Sequence, residues 1–106
     1  MQAIVVLTTL PDRNKARAFA RALVEEKLAA CVNVVPGLTS IYRWKGAVHQ
    51  DPEVLCVVKT SRPRLKKLKQ RFKSLHPYEV PELIALPITG GSEPYLRWLQ
   101  ASVATR

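Results

Sequence analysis

Residues Ala3 to Thr8 (AIVVLT) are β-branched and almost continuously apolar, the pattern of a strand that is central in its sheet or covered on both faces. Pro11 and Asp12 then mark a helix start, with Asp12 placed to cap it. Ala16, Phe19, Ala20, Leu23 and Val24 recur at helical spacing, while Arg13, Lys15, Arg17 and Arg21 fall largely outside that stripe. The first unit is a strand followed by a helix that runs to about Leu28.

Cys31 to Trp44 (CVNVVPGLTSIYRW) is a long β-rich run broken by Pro36 and Gly37, which predicts a kinked strand near a sheet edge. Lys45 and Gly46 read as a hairpin tip, with the chain returning through Ala47 to Val58. A turn centred there sets Val35 opposite Cys56 and Cys31 near Thr60, so the two cysteines are expected as buried, reduced thiols and not as a disulfide. His49, Asp51 and Glu53 alternate after the tip, but Pro52 interrupts the ladder. A loop of solvated polar groups is the expectation there, not a metal site.

Ser61, Arg62 and Pro63 look like the start of a second helix. Leu65, Leu68, Phe72 and Leu75 form its apolar stripe, and Arg62, Arg64, Lys66, Lys67, Lys69, Arg71 and Lys73 fill most of the rest. Leu83 to Ile88 reads as a strand, and Gly90, Gly91 and Ser92 as a loop ending in a cap. Tyr95, Leu96, Trp98, Leu99 and Val103 suggest a last helix. Strand, helix, strand, strand, helix, strand, helix is the order of an α+β ferredoxin-like βαββαβ sandwich with an extra C-terminal helix, in one domain spanning 1–106. The hairpin from Leu38 to Val48 outruns its neighbours and carries Tyr42 and Trp44, so it is expected to pair with another subunit.

Composition changes this picture little. Hydrophobic residues at 47% and charged residues at 24% suit a folded domain. The N-terminal apolar run is short and lacks a basic leader, and no segment approaches the ~20 apolar residues of a membrane span, so a soluble cytoplasmic protein is expected. The net charge of +9 points toward acidic partners without naming one.

The stretch HPYEVPE offers the best candidate chemistry. Pro77 and Pro81 keep His76 and Val80 extended, so His76, Glu79 and Glu82 cannot form the one-turn ligand cluster that a helix would make of them. A polyproline-like segment rises about 9 Å per turn, leaving the three on one face but far apart. Either His76 with Glu79 is a partial metal site completed from elsewhere, or the prolines set the entry to a strand and His76 bonds locally. Imidazole suits copper, zinc or nickel and carboxylate suits harder ions, so a weak mixed site for a divalent ion such as copper or zinc is the expectation, and nothing makes a cofactor obligatory. The basic second helix matches phosphates in charge but lacks exposed Asn, Gln or aromatics for reading bases, so a solvated face is the plainer expectation and nucleic acid the second reading. Gly90, Gly91 and Ser92 lack the phosphate-loop pattern. No nucleophile with a base emerges, so no enzyme activity is expected.

The runs LVEEKLAACVNVVPGLTSIYRWKG, EVLCVVKT, HPYEVPELIALPI and YLRWL strongly resemble the CutA family of divalent-cation-tolerance proteins, over nearly the whole chain. The resemblance implies a ferredoxin-like fold in a homotrimer built by intersubunit strand pairing. It also implies a link to copper and other divalent cations, a ligand cleft between subunits near His-Pro-Tyr, and a signalling role by likeness to PII proteins. Positions that hold a cysteine and a second histidine in copper-binding members are Thr8 and Leu75 here, which leaves His76 fewer partners. In such a cleft Trp44, Lys59, Tyr78 and Glu82 are the further ligand candidates, with Trp44 also suited to anchoring the interface.

Overall fold

The computed structural model describes residues 2–104. The chain runs β1 (Ala3–Leu10), α1 (Arg13–Glu25), β2 (Cys31–Trp44), β3 (Ala47–Ser61), α2 (Leu65–Leu75), β4 (Ile84–Pro87) and α3 (Glu93–Val103), with a 3-10 turn at Arg62–Arg64 leading into α2. The four strands form one antiparallel sheet in the order β2-β3-β1-β4. This is the mixed α+β architecture that the element pattern predicts, with two βαβ-like halves joined by a hairpin.

Burial alternates along the central strands. Ile4, Val6, Thr8 and Leu10 of β1 and Val54, Cys56, Val58 and Thr60 of β3 are buried because their face receives both α1 and α2. Ala16, Phe19 and Leu23 of α1 join Leu68 and Phe72 of α2 in that core. The two phenylalanine rings meet edge to face at 5.1 Å. Ala3 alternates to the other face, where Leu99 and Val103 of α3 cover it. Farther along that second face the sheet is open. Ile84 and Leu86, which pair with Leu7 and Val5, are 47% and 45% exposed.

Local chemistry sets the boundaries. The predicted cap forms, with the Lys15 N–H donating to Asp12 Oδ1 at 2.8 Å. Helix α1 ends at Glu25, short of the expected Leu28, because Lys27 turns left-handed at φ 59°. The Lys27 and Leu28 N–H groups then fold back onto the Val24 and Leu23 carbonyls. The expected helix start at Ser61, Arg62 and Pro63 is a 3-10 turn ahead of α2, and the Ser61 side chain makes no cap bond to it. Ser92 likewise makes no side-chain cap bond to α3. Only its backbone carbonyl accepts, from the Leu96 N–H.

Register is decided in the long hairpin. Trp44 faces Ala47 and Leu38 faces Glu53, yet Val35 faces Leu55. Pro36 and Gly37 together oppose the single residue Val54, a bulge that Gly37 permits at φ +85°. The slip corrects the expected pairing: Cys56 lies opposite Val34, Cys31 lies opposite Lys59, and both thiols are free. Pro52 does not end the strand as expected but sits in the ladder opposite Thr39. Because β1 stops at Leu10, opposite Val54, β3 has one free side beyond that point, and a missing N–H is tolerated there. From Glu53 to the tip the hairpin is a two-stranded ribbon among the described residues.

Candidate ligand site at the base of the hairpin

The site begins where α2 ends. The His76 N–H closes the helix on the Phe72 carbonyl at 2.9 Å, and the backbone then turns extended at ψ 134°, as the following Pro77 requires. This drives the imidazole inward, where it is 7% exposed and lies 5.5 Å from Phe19 and 5.8 Å from Phe72 by ring centroids. The Tyr78 N–H donates to Nδ1 at 3.2 Å. With Nδ1 an acceptor, the proton is assigned to Nε2, which donates to the Thr9 carbonyl at 3.0 Å and lies 3.1 Å from the Thr8 hydroxyl. Burial holds the imidazole pKa below its usual value, against the opposing pull of the Thr9 carbonyl and Glu53. The ring is neutral at neutral pH, with both nitrogens in use.

Tyr78 sets its ring 5.0 Å from that of His76 and donates its hydroxyl to Glu53 Oε2 at 2.5 Å. Burial first, and the Glu53 carboxylate second, push the phenol well above its ordinary range. The Glu82 carboxyl is raised too, by partial desolvation and then by Glu53. His76, Tyr78, Glu53 and Glu82 thus gather at the base of the ribbon. A cavity of about 360 Å³ opens there between the bulge and the start of α1, lined by Asp12, Arg13, Gly37, Thr39 and Glu53 among others. Up the ribbon, Tyr42 stacks on His49 at 5.5 Å and donates to Asp51, which raises the Tyr42 pKa.

The remaining candidates lie apart. Glu79 is exposed and makes no hydrogen bond or ion pair among the described residues. Lys59 Nζ donates to Asn33 Oδ1 at 2.6 Å, whereas Trp44 sits at the hairpin tip with Lys45 Nζ 5.8 Å from its ring centroid. Trp44 faces Ala47 at the opposite end of β3 from Lys59, about 40 Å away at the rise of an extended strand, so one chain does not bring the two together. His49, Asp51 and Glu53 occupy a strand and not the expected loop. Among the described residues no three of His, Cys, Asp and Glu are placed to hold an ion. His76 has no open ring nitrogen to offer, since Nδ1 accepts from the Tyr78 N–H and Nε2 donates to the Thr9 carbonyl. Glu53 is the residue that the sequence places in a solvated loop and the fold brings into the site. Its alternation with Asp51 and His49 carries the signal, and Pro52 masks it.

A four-stranded antiparallel sheet, two helices on one face, and a projecting ribbon with a polar cluster at its base define a mixed α+β sandwich of a particular kind. Residues 4–102 match the family model described as CutA1 divalent ion tolerance protein, and the chain belongs to that family. It is similar to the divalent-cation tolerance protein CutA of Thermus thermophilus, with 60% identity over 96 residues, 91% of this chain and 93% of the relative. The chloroplastic CutA protein of Arabidopsis thaliana is 50% identical over 100 residues, which are 94% of this chain but 55% of that protein. Among solved structures, CutA1 from Oryza sativa matches with a TM-score of 0.95 at 44% identity, covering 100% of this chain and 97% of that one. No helix among the described residues is long and apolar enough to cross a membrane.

Proposed function

We propose that the protein serves divalent-cation tolerance as a cytoplasmic homotrimer, binding a metal ion or small ligand weakly where subunits meet and signalling its presence without chemical turnover. Family membership carries this reading. The surface that one chain leaves uncovered supports it: the ribbon has no third strand among the described residues, and Val35, Ile84 and Leu86 add exposed apolar area. Three copies pairing ribbon to sheet edge would satisfy both features. Such pairing would carry the Trp44 tip of one copy toward the sheet of the next, so a cleft that joins Trp44 and Lys59 with Tyr78 and Glu82 would draw them from more than one copy.

Copper or zinc is the proposed cargo, with Glu79 and Glu82 the accessible donors. His76 acts from within, fixing Tyr78 and through it Glu53, since direct ligation costs the ring a hydrogen bond. Sedimentation should give a trimer, and a monodisperse species at the 11.9 kDa of one chain removes the assembly. Calorimetric titration with copper or zinc should show reduced heats for His76→Ala and for the Glu79→Gln, Glu82→Gln pair. Heats equal to wild type in both variants remove this site.

A further inference from the structure

The whole net charge of the protein resides on its helical layer. The chain carries 17 Lys and Arg against 8 Asp and Glu. Residues 12–27 and 61–75, which form α1, α2 and their flanks, hold 12 of the cations and 3 of the acids, while the remainder balances at 5 and 5. Both helices bury their apolar stripes in one core, so their charged faces lie outward on the same side of the sheet. Arg13, Arg17 and Arg21 recur every four residues on α1, and Lys66, Lys69 and Lys73 form a ridge on α2, all exposed. The layer's acids are engaged locally, Asp12 with Lys15, Glu25 with Arg21, and Glu26 with Arg71. Arg13, Arg17, Lys66, Lys69 and Lys73 have no ion-pair partner among the described residues.

We propose that this face docks the phosphodiester backbone of nucleic acid independently of sequence, as an interaction surface whose cations meet the cavity at the base of the hairpin only at Arg13. At 1.5 Å per helical residue, Lys66 to Lys73 spans about 10 Å. That equals the axial rise of about three successive phosphates on one strand of a duplex. The chemistry disfavours other polyanions. The large exposed apolar side chains lie on the hairpin, on the segment after α2, on β4 and on α3, with Val24 the exception on these helices, so the face has little to insert among lipids. An acidic protein partner wants aromatic or apolar anchors, which the ridge lacks. The same lack leaves no means of stacking on or reading bases, hence the indifference to sequence.

Fluorescence anisotropy with a labelled random-sequence duplex tests the proposal. A face that engages about six phosphates loses affinity about 10³-fold between roughly 50 and 200 mM salt. Lys66→Gln with Lys69→Gln should lower the log–log salt slope by about 2. Arg43→Gln with Arg97→Gln removes the same charge from exposed positions elsewhere and should leave the slope unchanged. Absent or salt-insensitive binding overturns the proposal, as does an equal slope change in both double variants. Tighter binding to polyglutamate or to phosphatidylserine vesicles than to the duplex also overturns it, assigning the face to an acidic protein or a membrane.

Discussion

Replacing His76 with alanine tests whether the buried imidazole holds the base of the hairpin together. The change removes the bonds from the Tyr78 N–H and to the Thr9 carbonyl, at about 1 kcal/mol each. It also empties a ring-sized space beside Phe19 and Phe72, adding about 2 kcal/mol. The expected loss is about 4 kcal/mol, a large share of the ~5–15 kcal/mol that holds a domain together. Urea unfolding at fixed protein concentration reads this loss. A pH series supplies a second arm. Burial lowers the native pKa of His76 below the 6.5 of an exposed histidine, so on acidification the unfolded chain binds a proton before the native ring does. The ring's contribution is complete above that pH and is lost as pH falls through the lowered native value. The stability gap between wild type and His76→Ala should therefore narrow as pH falls below the 6.5 of an exposed histidine and toward the lowered native value. A loss under about 1 kcal/mol at neutral pH, or a gap indifferent to pH, refutes the reasoning.

Gly37→Ala should cost about 1 kcal/mol even though nothing lies within 4 Å of the added Cβ, because φ +85° strains any L side chain. An unchanged Tm would show that the bulge relaxes without it. The Cys56 thiol is buried, with its pKa pushed up to about 11, so it should resist alkylation at mildly alkaline pH until the protein unfolds, while the half-buried Cys31 reacts first. Equal labelling of both in the native protein contradicts that burial. Tyr78→Phe keeps the ring against His76 but releases Glu53, at about 1 kcal/mol in chemical unfolding. A neutral result would mean that water replaces the phenol at Glu53 without loss.

What could be read in advance was local. The unbroken apolar run of β1, the stripes of α1 and α2, the Asp12 cap and the Lys45–Gly46 turn depend on neighbours within a few residues, and each element forms, although its ends shift and Val24 of the expected α1 stripe is exposed. Pro36 and Gly37 announced a kink, but a bulge is absorbed by the partner strand, and only pairing shows that Val54 answers both and that Cys56 meets Val34. Pro52 argued for a loop. It stays in a strand because β1 ends too early to demand its N–H, which no residue near position 52 can reveal.

The prolines around His76 dictated an extended bend, and that much belongs to the sequence alone, as does the concentration of positive charge on two helices. The fold chose what the bend delivers: a ring bonded to Thr8 and Thr9, which lie 68 and 67 residues away, and a tyrosine carried onto Glu53. Dihedral limits and side-chain periodicity are properties of adjacent residues, whereas contacts across such a separation exist only once the core has packed and closed the loop between them.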